Sequence, residues 1–212
     1  MTKLCDSIKA LIFDFGGVLM RSEDPEPRER MARELGLSLS ALEEIVFNSE
    51  AGQLAEVGSI SSEARWRQVT LRLGLKSPDA WLTFPRRFFS GEALDTQLIE
   101  HIRHLHRTYR TALLSNASES LDEYVRGTLG LGEVFDAIVI SALVGTKKPD
   151  PHIYQVTLDR LGVAPHEAVF VDDRRENVEG ADALGIHSFL FTTPQALLDD
   201  LKAVLRPSAF RS

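Results

Sequence analysis

Unbroken apolar runs, each closed by a polar residue or glycine, recur along the chain. The first is Lys9-Ala10-Leu11-Ile12-Phe13, ended by Asp14 and followed by Gly16-Gly17. An apolar run without alternation, bounded by glycine, marks a strand buried on both faces of a parallel sheet. Equivalent runs occupy 111–114, 137–140, 168–171 and 186–191. Between them the apolar positions switch to helical spacing: Leu98, Ile102 and Leu105; Leu121, Tyr124, Val125 and Leu129; Ile153, Val156, Leu158 and Leu161 before Gly162; Val178, Ala181 and Leu184 before Gly185. Glycine just past the last periodic position stops a helix. Strand and helix in alternation predict an α/β fold on a parallel sheet.

The alternation breaks between about 21 and 90, where helical patterns follow one another with no strand between them. One runs from Glu26 to Leu35 and stops at Gly36. A second, from Ser40 to Phe47, has Ser40 as its expected N-cap and Glu43 three residues on, a capping box. A third, from Ser61 or Ser62 to Leu73, stops at Gly74. A fourth, reaching Phe89, opens on Ser77-Pro78-Asp79, a helix-start signal. The expected organisation is an α/β core over 1–20 and 91–212 with a helical module inserted over 21–90. Trp66, Trp81, Phe84, Phe88 and Phe89 are expected to fill the module's interior. Its Arg28-Glu29-Arg30 and Arg86-Arg87 runs are expected on solvated faces.

Composition narrows the possible partners. Across 212 residues, 24 Lys and Arg face 31 Asp and Glu, a net charge of −7. That balance supplies no attraction to nucleic acid or to an anionic membrane. No apolar run approaches the ~20 residues of a membrane span. The single cysteine, Cys5, cannot form an internal disulfide, and the first residues carry no signal-peptide pattern. The expectation is a cytoplasmic protein in a reducing compartment. Oligomeric state is not legible in the sequence.

The residues able to do chemistry sit where the strands end. Ligands in open α/β sheets bind beyond the carboxyl ends of the strands. Asp14 ends the first strand, Ser115-Asn116 the second and Asp172-Asp173 the fourth. Lys147-Lys148-Pro149 follows the third after a short loop. Carboxylates brought together from separate strands repel unless something positive lies between them. Asp14 beside Asp172 or Asp173 therefore calls for a cation, and all-oxygen ligation suits Mg²⁺. Successive strand residues point to opposite sides, so one acid of the Asp172-Asp173 pair is expected to reach the metal and the other to support it. A lysine, a hydroxyl and an amide nearby would hold a phosphoryl group, and a carboxylate in such a clamp can attack phosphorus. His101 and His104 share a helix face, but Arg103 and Arg107 beside them disfavour a cation there.

These segments, in this order, resemble the four motifs of the haloacid dehalogenase-like (HAD) superfamily of hydrolases. Phe13-Asp14-Phe15-Gly16-Gly17-Val18-Leu19 is similar to the first, Leu114-Ser115-Asn116 to the second, and Lys148-Pro149-Asp150-Pro151 to the third. Val169-Phe170-Val171-Asp172-Asp173 with Asn177 is similar to the fourth. The resemblance covers about 9–192 and looks strongest to epoxide hydrolase N-terminal phosphatases and sugar-1-phosphate phosphatases. It implies a Rossmann-like core with strand order 3-2-1-4-5, a helical cap, Mg²⁺ as cofactor and a small phosphorylated metabolite as substrate. It further implies Asp14 as nucleophile and metal ligand, Asp173 as second metal ligand, and Gly16 as a ligand through its carbonyl. Ser115 and Asn116 would hold the phosphoryl group and Lys148 would neutralise it. Asp172 and Asn177 would support the site from behind.

One position departs from the pattern. Phosphatases of the superfamily normally carry, two residues after the nucleophile, an Asp that protonates the leaving oxygen. This chain has Gly16. Glycine offers no proton, and general acid–base help is typically worth ~10²–10⁴-fold in rate. The expectation is a phosphatase that is slow on poor leaving groups. The alternatives are a weakly active phosphometabolite-binding protein and a dehalogenase-type hydrolase attacking carbon. The acid pair Asp172-Asp173 speaks for phosphoryl chemistry over the last.

Overall fold

A computed structural model describes residues 7–210, so Cys5 lies outside the described part. Five parallel strands form the central sheet: β1 (Ala10–Phe13), β4 (Arg110–Ser115), β5 (Ala137–Ile140), β6 (Ala168–Asp172) and β7 (His187–Leu190). Their order is β5-β4-β1-β6-β7, so β1 is central and the expected 3-2-1-4-5 arrangement is observed. Register places Phe13 beside Leu113 on one side and Val171 on the other. Asp14 thus leaves the sheet level with Asp172.

The pleat sends alternate residues to opposite faces, and the core divides accordingly. Leu11 and Phe13 join an apolar cluster with helix α6 (Thr96–Leu105) and helix α11 (Pro194–Val204). Ala10 and Ile12 join a second cluster with helices α9 (Pro151–Leu161) and α10 (Arg175–Asp182). The short helix α7 (Ser120–Glu123), running into a π-helical turn over Tyr124–Thr128, brings Leu121 and Val125 to the first cluster, and helix α8 (Ser141–Val144) packs Val144 against the second. No helix among the described residues is long and apolar enough to cross a membrane.

Between Ser22 and Glu92 lie five helices: α1 (Glu26–Glu34), α2 (Leu39–Phe47), α3 (Glu50–Glu56), α4 (Ser62–Arg72) and α5 (Ala80–Phe88). Met31, Leu42, Val46, Trp66, Val69, Phe84 and Phe88 form their own apolar cluster, with Trp81 and Phe89 packed against it. Gly36 and Gly74 take the left-handed conformation expected after helices α1 and α4.

Several details differ from the sequence reading. The segment is not free of strands: β2 (Met20–Ser22) pairs antiparallel with β3 (Glu92–Leu94), closing a neck where the chain leaves and re-enters the core. Three-residue strands are too short to display a period of two. Helix α3 has no counterpart in the sequence reading; Ser49 caps it by accepting from the Gly52 N–H. Ser38, not Ser40, caps α2, its hydroxyl accepting from the Ala41 N–H at 3.1 Å. Either start leaves Leu42 and Val46 on the buried face, so the apolar pattern does not choose between them. Arg28 is not on a solvated face. Its guanidinium lies 4.6 Å from the Phe88 ring centre and pairs with Glu43 and Glu92, tying α1 to α2 and the neck.

Candidate active site

Lys148 organises the site. Its side chain is buried, and its ammonium lies 2.8 Å from Asp14 Oδ1, 2.6 Å from Asp172 Oδ2 and 2.9 Å from the Leu114 carbonyl. Three donors meet three acceptors, which is the full capacity of the group. Burial works against the charge, but Asp14 and Asp172 outweigh it and hold the lysine above its ordinary pKa, firmly protonated. The positive group that two neighbouring carboxylates demand is thus supplied for Asp14 and Asp172 by the chain itself.

The three acids are not equivalent. Asp172 is saturated: Oδ1 accepts from the Arg174 N–H at 2.8 Å and from Asn177 Nδ2 at 3.0 Å, while Oδ2 accepts from Asn177 Nδ2 at 3.0 Å and from Lys148. Asp14 is half committed. Its Oδ1 takes the Phe15 N–H at 2.7 Å together with Lys148, and no hydrogen bond among the described residues engages Oδ2. Burial pushes the Asp14 carboxyl up, Lys148 pulls it down and Asp172 pushes it up again, leaving it at about 7. Asp173 is the exposed member, and burial of part of its side chain, with Asp172 adjacent, raises its pKa as well.

Asp14, Asp172 and Asp173 each bring a carboxylate oxygen within 4.8 Å of the others. One ammonium faces three carboxylates, so negative charge is in excess, and the donors are all oxygen. That set fits a hard divalent cation. It is the one such group among the described residues, and neither His101 nor His104 belongs to one. Gly17 makes the cluster possible: its φ is +80°, and a Cβ there would lie 2.2 Å from Asp173 Oδ2. Gly16 differs. It is exposed, its φ is not in the left-handed region, and a Cβ would meet nothing within 4 Å.

The remaining residues flank this centre. Ser115 is buried at the end of β4. The Asn116 carboxamide is engaged with Lys148: Nδ2 donates to the Lys148 carbonyl at 2.9 Å and Oδ1 accepts the Lys148 N–H at 2.8 Å. Its amide therefore fixes the lysine's backbone. Sequence reasoning missed Ser141, whose hydroxyl accepts from the Ala117 N–H at 2.9 Å and donates to the Ala117 carbonyl at 3.2 Å, pinning the loop after Asn116. No local signal distinguishes that serine from any other. Lys147 is partly exposed and pairs with Glu56 of α3 at 2.7 Å.

Acids, lysine and hydroxyl at the carboxyl ends of a parallel sheet define a hydrolase-type α/β site. The family model for haloacid dehalogenase-like hydrolases matches residues 8–185. The chain belongs to that family and is a hydrolase. It is 27% identical over 203 residues to the sesquiterpene phosphatase astK of Aspergillus oryzae, covering 95% of this chain and 99% of the relative. It is 27% identical over 195 residues to the D-ribitol-5-phosphate phosphatase of Bacteroides thetaiotaomicron, covering 86% and 91%. Some other curated relatives are longer, and the chain spans between 7% and 36% of their length. Among solved structures, a HAD family enzyme from Bacteroides thetaiotaomicron in complex with magnesium and inorganic phosphate superposes with a TM-score of 0.72 at 23% identity, over 87% of this chain and 94% of that one.

Proposed function

We propose that the protein is a magnesium-dependent phosphatase of small phosphorylated metabolites, with Asp14 as the nucleophile. The observation that carries this reading is the asymmetry of Asp14: Oδ1 is held by the Phe15 N–H and Lys148, no hydrogen bond among the described residues engages Oδ2, and a carboxylate oxygen of Asp14 lies within 4.8 Å of one of Asp173. Asp14 and Asp173, with the Gly16 carbonyl, are the residues that would hold Mg²⁺. When bound, the ion would neutralise the excess carboxylate charge and the phosphoryl oxygens. Relatives carrying phosphatase names, and one solved with magnesium and phosphate, support the same direction.

In this reading Asp14 Oδ2 attacks phosphorus, the bond from phosphorus to the ester oxygen breaks, and the phosphoryl group passes to Asp14. Ser115 and the Asn116 main chain orient the phosphoryl oxygens, and Lys148 balances their charge. Because Gly16 carries no acid, the leaving oxygen takes its proton from solvent. Water then attacks phosphorus, frees Asp14 and releases inorganic phosphate. Asp172 contacts Lys148, and Asn177 grips Asp172, so the pair holds the lysine in line. The module over 21–90 acts as a lid on the core formed by 1–20 and 91–212. Attack on carbon has less support, because a third carboxylate crowded against the first two adds charge that such a reaction does not use.

The test is release of inorganic phosphate from a panel of phosphate monoesters, with and without Mg²⁺, by wild type and Asp14→Asn. Metal-dependent release abolished by Asp14→Asn is expected. Binding of phosphorylated ligands without release would favour a non-catalytic binding protein, the reading that Gly16 supports. Halide release without metal would overturn both.

A further inference from the structure

Tyr154 is a buried hydroxyl that the reaction described above does not use. It lies one turn into α9, the helix that begins three residues after Lys148. Its ring stands edge-on to Phe170, with centres 5.5 Å apart, two residues before Asp172 on β6. Its hydroxyl donates to the main-chain carbonyl of Asn177 at 2.8 Å. From that residue the contacts run to the chemistry: the Asn177 carboxamide grips both oxygens of Asp172 at 3.0 Å, Asp172 takes Lys148 at 2.6 Å, and Lys148 takes Asp14 at 2.8 Å.

A second observation shows that the corner is built closely. Gly180 sits inside α10, where glycine is a poor helix former. A Cβ there would lie 2.8 Å from Pro149 Cβ, 3.0 Å from the Pro149 carbonyl and 3.3 Å from the Tyr154 hydroxyl. The helix bearing Asn177 is thus drawn against both Tyr154 and the residue that follows Lys148. A side chain at 180 would push α10 away and open the bond from Tyr154 to Asn177.

We propose that Tyr154 is a positioning residue, which fixes the Asn177 peptide so that its carboxamide aligns Asp172 and, through Asp172, Lys148 against Asp14. The proposal deepens the phosphatase reading and rests on it for its kinetic readout. Loss of the one bond from Tyr154 to Asn177 is expected to slow the reaction about fivefold, which is about 1 kcal/mol of barrier.

The experiment compares Tyr154→Phe with Thr157→Val. Thr157 is buried on the same helix, and its hydroxyl donates to the Ile153 carbonyl, away from the site. With p-nitrophenyl phosphate and saturating Mg²⁺, Tyr154→Phe should lower kcat about fivefold with KM within twofold, and Thr157→Val should leave both within twofold. Hydrogen exchange of the Asn177 side-chain amide, followed by NMR on metal-free protein, needs no turnover. It should quicken in Tyr154→Phe and stay at the wild-type rate in Thr157→Val. Equal kcat losses in the two variants, unchanged Asn177 exchange, or faster exchange without a kcat loss would each overturn the proposal. If wild type releases no phosphate, the phosphatase reading fails and the exchange contrast alone decides whether Tyr154 holds Asn177.

Discussion

At the residue scale, Gly16 decides how much of the reaction the chain can assist. The space beside it is open and its backbone conformation suits any L-residue, so its lack of a side chain is not imposed by packing. Gly16→Asp should therefore fold as wild type does. It should speed hydrolysis of alkyl phosphates by about a hundredfold, the low end of what a positioned acid supplies. It should do little for p-nitrophenyl phosphate, whose leaving group needs no proton. Steady-state rates on the two ester classes check this, and an equal change on both would show that proton supply does not limit the enzyme. Asp14 carries a different cost. Its carboxyl sits at about 7 in the fold against an ordinary 3.8, so the folded state keeps a proton that the unfolded state has lost. Stability of the metal-free protein from this group is therefore full below pH 3.8, falls as pH rises between 3.8 and 7, and stays low above. Asp14→Asn removes that penalty. Metal-free Asp14→Asn should be more stable than wild type at pH 8, on the order of 2 kcal/mol, and indistinguishable at the acid limit, read by denaturant unfolding. Excess Mg²⁺ should narrow or reverse the order, because an ion that binds only the folded wild type stabilises it. A wild type more stable than Asp14→Asn without metal would contradict the assigned charge balance.

At the scale of elements, the sheet was readable because its strands are buried on both faces and so carry unbroken apolar runs that few other environments tolerate. Once β1, β4 and β6 are aligned in parallel, the residues that end them share one edge. Asp14, Ser115 and Asp172 could thus be gathered from the sequence without any knowledge of their contacts. What stayed hidden is how polar groups divide their hydrogen bonds. Asn116 reads as a phosphate donor by residue type, yet its carboxamide is occupied by the Lys148 backbone. Strand alternation separates the Asp172-Asp173 pair in kind, one acid expected to reach a metal and the other to support it. That Asp172 has no acceptor capacity left emerges only from the bonds made by Asn177 and Arg174. Elements shorter than one period were equally invisible, as β2 and β3 illustrate. Arg28 escaped because a charged residue inside an aromatic cluster has no marker in a hydrophobicity pattern; only the rings of Phe47, Phe88 and Phe89 around it explain its place.

At the scale of the whole molecule, the helical module touches the two core loops that carry Asn116 and Lys148. Glu119, three residues beyond Asn116, accepts the Ser62 N–H at 2.7 Å and so caps α4 from across the crevice, while the Ser120 hydroxyl reaches the Ser62 hydroxyl at 3.1 Å. Lys147, next to Lys148, pairs with Glu56 at the end of α3. Between these points Gly58 lies so close to the Ala142 carbonyl that a Cβ would be 2.2 Å away. A helix-capping bond is worth about 1 kcal/mol and a partly exposed ion pair between 0 and about 1 kcal/mol. On the proposed reading of the module as a lid, a clasp of that size would favour the closed arrangement by roughly tenfold, enough to exclude water during reaction and weak enough to open on each turnover. The β2–β3 neck keeps the module attached in either state. The double variant Glu56→Ala/Glu119→Ala should then leave the sheet untouched and free the corner. Backbone hydrogen exchange over 57–61 should quicken several-fold, that of β1, β4 and β6 should not change, and KM should rise more than kcat falls, since a closed lid contributes to holding the substrate. Exchange over 57–61 as slow as in wild type would mean that the neck and the apolar packing, rather than these two carboxylates, seat the module on the site.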